Sequence, residues 1–254
     1  MQILKLQEGV IYGPINSRRL GRSLGINLLP PTYKLCSFNC IYCQYGWTPV
    51  HTDDASEFLD DLPTTDKFQE VLESWLKKGR DVNYITFSGN GEPCLHPQFD
   101  EMVEVLSKLR KKCVPQAKLA ILSNSTCLSR SNVVEGLKKL DVRIMKLDCG
   151  PGETFQKVNR PHENIKYEEI VENLKNLGDI IIQSVLVDGE ISNIEDEEIE
   201  KWIERLDYIK PREVQIYSID RPSADQHLKL VGKDKLKGIA QKAEKATGIS
   251  VKVF

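Results

Sequence analysis

The chain has 254 residues, with 35 Lys and Arg against 37 Asp and Glu and a formal charge of −2. That length can form one α/β domain with a large core, and near neutrality gives no general attraction to nucleic acid or a membrane surface. No apolar run reaches the ~20 residues of a membrane span, and the start (Met-Gln-Ile-Leu-Lys) is no signal peptide. Seven cysteines without a secretion signal therefore point to a reducing, cytoplasmic setting and not to a disulfide framework.

One domain over 1–254 is expected, because strand-like and helix-like segments alternate with no low-complexity linker and no repeat. Ser23–Leu29 reads as a strand running into a loop over about 30–47. Phe68, Val71, Leu72, Trp75 and Leu76 recur at helical spacing, with Gly79 as a stop. Asn83–Phe87 is a strand, and Phe99, Met102, Val103, Leu106 and Leu109 mark the next helix. Lys118–Leu122 and Val142–Leu147 are strands on either side of a helix carrying Val133, Val134, Leu137 and Leu140. A helix with Ile170, Val171, Leu174 and Leu177 precedes Asp179–Val187, the most strand-like stretch of the chain. Then follow a helix with Ile199, Trp202, Ile203 and Leu206, the strand Val214–Tyr217, a helix with Leu236, Ile239, Ala240 and Ala243, and a last strand in Ile249–Phe254.

Repeated β-α units imply parallel strands joined by right-handed crossovers. About six units fall short of a closed eightfold barrel, so an open, partial (β/α)6 barrel is expected. Ligands in such folds sit at the carboxyl ends of strands. The residues leaving the strands are polar or reactive: Ser88–Glu92, Ser123–Thr126, Asp148-Cys149, Asp188–Glu190 and Ser218–Arg221. Gln183 and Ser184, inside an apolar strand, need a partner or a ligand.

The most informative run is Cys36-Ser-Phe-Asn-Cys40-Ile-Tyr-Cys43. It offers three thiolates, whereas a structural zinc site closes with four ligands and a cubane iron–sulfur cluster normally takes one cysteine per iron. Three-fold ligation suggests a cluster with one iron open to a small molecule; a partial zinc site or three unconnected thiols are the other readings. A second motif, Ser88-Gly-Asn-Gly-Glu-Pro93, follows a strand about fifty residues later, and its glycines permit a tight turn and close approach of backbone to a ligand.

Together, Cys-x3-Cys-x2-Cys with Tyr42 before its third cysteine, and Gly89-Asn90-Gly91-Glu92-Pro93, resemble the radical S-adenosylmethionine (SAM) superfamily. With the run Ser17-Arg-Arg-Leu-Gly-Arg-Ser-Leu-Gly25, the resemblance narrows to the small iron–sulfur oxidoreductases grouped with wyosine (tRNA-imidazoguanosine) synthases. It implies a [4Fe-4S] cluster on Cys36, Cys40 and Cys43, and SAM held near Tyr42, Gly89, Asn90, Gly91, Glu92, Ser123, Asn124 and Asp148. It implies an oxygen-sensitive enzyme in which a flavodoxin or ferredoxin-type donor reduces the cluster, SAM is cleaved, and a 5′-deoxyadenosyl radical abstracts hydrogen from the substrate. A small anionic or nucleotide-like substrate is the first expectation. Modification of tRNA or of a polypeptide is the alternative, and a non-enzymatic metal or electron-transfer module the third.

Arg18, Arg19 and Arg22 can grip phosphate or carboxylate at the site entrance, or pair with acidic side chains. Asn159, Arg160 and Gln183 are further substrate candidates. Cys94, Cys127 and Cys149 follow consecutive strands, and with Cys113 they read as small buried apolar residues rather than a second cluster site. His51, His96, His162 and His227 share no ligand spacing and read as structural or solvated.

Overall fold

The computed structural model describes residues 3–79 and 81–254. Eight strands form the main sheet: β1 (Ile11–Ser17), β2 (Gly21–Ile26), β3 (Tyr84–Phe87), β4 (Lys118–Ser123), β5 (Val142–Lys146), β6 (Ile181–Val185), β7 (Glu213–Tyr217) and β8 (Val251–Val253). Their order across the sheet is their order in the chain. β1 and β2 are antiparallel, and every later neighbouring pair is parallel. β1 and β8 are edges, so the sheet is open, as the count of β-α units leads one to expect.

The helices are α1 (Thr65–Leu76), α2 (Phe99–Cys113), α3 (Ser131–Lys138), α4 (Gly152–Val158), α5 (Tyr167–Leu177), α6 (Asp196–Ile209) and α7 (Lys233–Thr247). Each long helix buries the stripe its periodicity marks; α2 buries Phe99, Met102, Val103, Leu106 and Leu109, each contributing roughly 1.5–3 kcal/mol. None of the described helices is long and apolar enough to cross a membrane.

Alternation along the strands divides the sheet into two faces. Leu119, Ile121, Met145, Ile182, Val214 and Ile216 join the large core under the helices. The opposite face carries a small apolar patch of Ala120, Val142, Ile144 and Ile181, closed by Leu20 from the β1–β2 turn. Between and beyond these lie the same-phase polar residues Lys146, Gln183, Gln215 and Tyr217. This inner face is the hollow of the half-barrel.

Two segments depart from the sequence expectation. The Gly13–Gly25 run, given no element before Ser23 in the sequence reading, is mostly hairpin, with Ser17 Oγ accepting from the N–H groups of Arg19 and Leu20 to shape its turn. Proline, glycine and a register shift between Tyr12 and Ile15 hide the period-two pattern of β1. Asp179–Val187 ends its main-sheet pairing at Val185, and Val187-Asp188 pairs separately with Lys229-Leu230.

Candidate functional site

The loop after β2 carries the three cysteines back over the carboxyl ends of the strands. Leu35-Cys36 pairs in parallel with Val50-His51, and the glycine loop after β3 docks on the same segment. Leu35 N donates to Asn90 O at 3.0 Å, and Glu92 N donates to Leu35 O at 3.3 Å. This contact explains Gly91, whose φ is +142° and where a Cβ would stand 1.7 Å from Leu35 O. Gly89, at φ +127°, would likewise strike Asn27 Oδ1 at 2.6 Å. Asn90 is buried, and its side chain is spent within the protein: Nδ2 donates to Gln7 O and Pro30 O, both at 2.9 Å, while Oδ1 accepts from Gln7 N. Asn90 thus pins three loops together instead of presenting its amide to a ligand.

Each of the three thiols has its own donor. Asn124 Nδ2 approaches Cys36 Sγ at 3.7 Å, Asn159 Nδ2 approaches Cys40 Sγ at 3.5 Å, and Lys34 Nζ approaches Cys43 Sγ at 3.1 Å. Cys36 and Cys40 are buried and Cys43 is half-buried. Burial pushes the Cys36 thiol up to about 12, although Lys34 opposes the shift, and the Cys40 thiol up to about 11. Buried thiols with raised pKa values need cations or a metal group to become ligands. Lys34 supplies the first of these. It is 4% exposed and also donates to Gly46 O at 2.9 Å. Burial alone would lower its pKa, but the sulfurs of Cys43, Cys36 and Cys40 more than offset that and raise it.

Asp148, after β5, is the second organising centre. Its carboxylate accepts from Tyr42 Oη, from Asn159 Nδ2 at 2.7 Å and from Val185 N at 2.8 Å, and it lies 2.8 Å from Lys146 Nζ. Asn159 Nδ2 also reaches Tyr42 Oη at 3.1 Å. Burial, then the charge of Asp148, holds the Tyr42 phenol well above its usual range, so it stays a donor. Desolvation pulls the Lys146 pKa down, yet the charge of Asp148 and its neighbours leaves it raised. Asn159, expected as a substrate contact, is 1% exposed and ties the end of α4 to the cysteine loop.

Glu92 is the third. Cys94 N and Ser123 Oγ donate to Oε1 at 3.0 and 2.9 Å, and Asn124 N donates to Oε2 at 2.6 Å. Burial raises its pKa, and these donors oppose the rise. The carboxylate therefore links the glycine loop to the end of β4. Asn124 passes the link on through Nδ2 to Ser37 Oγ at 2.9 Å.

The remaining candidates scatter. Arg18 is exposed and pairs with Asp220 at 2.6 Å, Arg22 is exposed at the start of β2, and Arg160 packs over the Trp47 ring at 4.8 Å. Arg19 alone of the hairpin arginines turns inward, 4.4 Å over the Tyr217 ring. Gln183 finds partners in Gln215 and Tyr217, both at 3.3 Å, and Ser184 bonds Leu147 O and Trp202 Nε1. Cys94, Cys127 and Cys149 are buried; burial and then nearby carboxylates raise all three thiols, Cys127 to about 12. Sequence reasoning missed Lys34 and Lys146. The only signals were a lysine two residues before the first cysteine and one in the inward phase of β5.

Among the described residues, no three His, Cys, Asp or Glu side chains gather closely enough for a single metal ion. A cubane takes one cysteine per iron, so its ligands stand farther apart, and the all-thiol donor set with a donor on each sulfur fits such a cluster. The comparisons agree. A family model described as the radical SAM superfamily matches residues 31–206. A UPF0026 protein of Synechocystis is 33% identical over 219 residues, covering 84% of this chain and 76% of that protein. The chain spans only 35% of another relative, a Brachyspira hyodysenteriae protein named GTPase Obg, at 27% identity over 98% of its own length. Among solved structures, a radical SAM methyltransferase from Sphaerobacter thermophilus aligns with TM-score 0.64 at 15% identity, over 91% of this chain and 65% of that one. TYW1 with a lysine-pyruvate adduct aligns with TM-score 0.57 at 15% identity, over 88% of this chain and 73% of that one. With the matched stretch running from the cysteine loop to α6, this chain belongs to the radical SAM superfamily, and that membership supports SAM-dependent radical chemistry.

Proposed function

We propose that this chain carries a [4Fe-4S] cluster on Cys36, Cys40 and Cys43, binds SAM beside the glycine loop, and acts on a small-molecule substrate in the hollow of the half-barrel. The observation that carries this reading is the set of matched donors, one to each cysteine sulfur. Hydrogen bonds to ligating sulfurs and burial are the levers by which a protein sets a cluster's potential. When bound, cluster and SAM supply a 5′-deoxyadenosyl radical for hydrogen abstraction.

The chain's own residues position and exclude water. Lys34, Asn124 and Asn159 orient the three sulfurs. Glu92 and Ser123 hold the glycine loop against the end of β4, where the backbone of Gly89 and Gly91 would hold SAM. Asp148 works through Tyr42 and Lys146, keeping the tyrosine next to Cys43 fixed. A flavodoxin or ferredoxin-type protein is the proposed electron donor. The charge of −2 supports a small substrate over tRNA, since phosphate binding draws on clustered Lys and Arg.

Anaerobic reconstitution tests the reading. About four irons per chain and 5′-deoxyadenosine formed from SAM under reduction are expected. One zinc per chain with no cleavage overturns it, and salt-dependent tRNA binding by the reconstituted protein overturns the small-substrate assignment.

A further inference from the structure

A cavity of about 590 Å³ opens at the end of the sheet opposite the cysteines. Tyr84, Lys118, Val142, Ile181 and Glu213, the first residues of β3 to β7, line it together with Arg19. Its rim charges are mostly neutralised in pairs: Arg212 with Asp179 at 3.1 Å, Lys252 with Glu213 at 2.5 Å, and Asp141 with Arg110 at 3.8 Å. Asp141 also accepts from Leu119 N at 2.7 Å. Arg19 and Lys118 make no ion pair among the described residues, so positive charge is left over.

Arg19 is the more telling of the two. Its Nη1 is buried and has no hydrogen-bond partner among the described residues, whereas buried guanidinium donors are ordinarily satisfied. The guanidinium lies 4.4 Å over the Tyr217 ring and 5.7 Å over that of Phe254. Lys146 Nζ lies 5.4 Å from the same Tyr217 ring and 5.1 Å from that of Tyr42. Rings and cations thus alternate up the inner face, from Phe254 through Arg19, Tyr217 and Lys146 to Tyr42 beside Cys43. The amides alongside each spend one N–H within the protein: Gln215 Nε2 donates to Glu213 at 2.9 Å, and Gln183 Nε2 to Gln215 at 3.3 Å.

We propose that Arg19, with Lys118 at the entrance, is the seat for an anionic group of the substrate, a carboxylate or a phosphate, reached through the cavity at the strand starts. The seat rests on the reading of the chain as a radical SAM enzyme of small molecules and names its substrate class. A planar guanidinium with a free buried donor suits either oxyanion, and two flanking rings hold its plane without consuming its N–H groups.

Titration calorimetry of the anaerobically reconstituted holoenzyme with pyrophosphate and with succinate tests this and separates the two chemistries. Saturable one-to-one binding of one probe is expected, weakened tenfold or more by Arg19→Met and a few-fold by Lys118→Gln. Arg18→Gln, on the same hairpin but paired outside with Asp220, leaves the binding unchanged. Absence of saturable binding by both probes, or equal loss in Arg18→Gln and Arg19→Met, overturns the seat. Lys118 is exposed, so its variant keeps the test open if Arg19→Met does not fold. SAM cleavage by the same wild-type preparation keeps the two readings apart. Cleavage without anion binding sinks the seat alone, and no cleavage sinks the enzymatic reading whatever binds.

Discussion

At the carboxyl ends of the parallel strands, nearly every buried polar side chain already has its partners: Glu92 holds three donors, Asp148 meets Tyr42, Lys146, Asn159 and Val185, and Asn90 joins three loops. At the amino ends of the same strands, a cavity lies open and the guanidinium of Arg19 keeps a buried N–H unspent. Saturated groups fix geometry, and what remains there for a cofactor is sulfur and glycine backbone. Unsaturated groups are what a ligand can complete. Under the proposed function and seat, one end of the half-barrel supplies precision and the other recognition.

The largest effect tests the first half of that contrast. Replacing any of Cys36, Cys40 or Cys43 by alanine removes one of the three proposed ligands, and iron content and SAM cleavage should both fall to background in the reconstituted variant. Next comes Asp148→Asn, which strands Lys146 beside a neutral side chain. Breaking a buried pair from one side costs about 3–5 kcal/mol, read by urea unfolding. Adding Lys146→Met should restore much of the loss, and a double variant no better than the single one would show that the ion pair is not the cause. Because the Lys146 pKa is raised in the folded state, the lysine's share of the pair's stabilisation is complete at neutral pH and is lost as pH climbs through that raised value. Gly91→Ala should follow, at roughly 3 kcal/mol, since both the positive φ and the contact with Leu35 O forbid a Cβ. Its signature is loss of iron along with stability, because the glycine loop is docked on the cysteine loop.

Much of this was legible in residue spacing. Short apolar, β-branched runs and period-3.6 stripes locate β3 to β7 and the long helices, and the cysteine run and Gly-Asn-Gly-Glu-Pro locate the two loops that meet over the sheet. What could not be read was who spends which donor. Asn159 and Asn90 look like free polar residues in the chain, and only the fold shows them consumed by Cys40, Asp148 and neighbouring backbone. The three hairpin arginines are equivalent in sequence; a turn shaped by Ser17 sends Arg18 to Asp220 and Arg19 to Tyr217. Lys34 carried only its place two residues before Cys36, and a lone lysine near a cysteine is ordinary until burial brings them together.

Lys34 also yields the smallest and most specific test of the ordered end. A cluster held as proposed would gain an electron on reduction, so a buried ammonium 3.1 Å from Cys43 Sγ would favour the reduced form. A hydrogen bond to a charged group contributes about 1.5–3 kcal/mol, which for one electron corresponds to about 60–130 mV as an upper range. Lys34→Met should therefore bind iron near the wild-type level yet shift the midpoint to more negative potential by up to that amount, measured by spectroscopic redox titration. Lys34→Arg, which keeps the charge on a wider head group, should shift it less. An unchanged midpoint in Lys34→Met would make the lysine a structural tie to Gly46 O alone, and the donor at Cys43 would then no longer belong with those at Cys36 and Cys40.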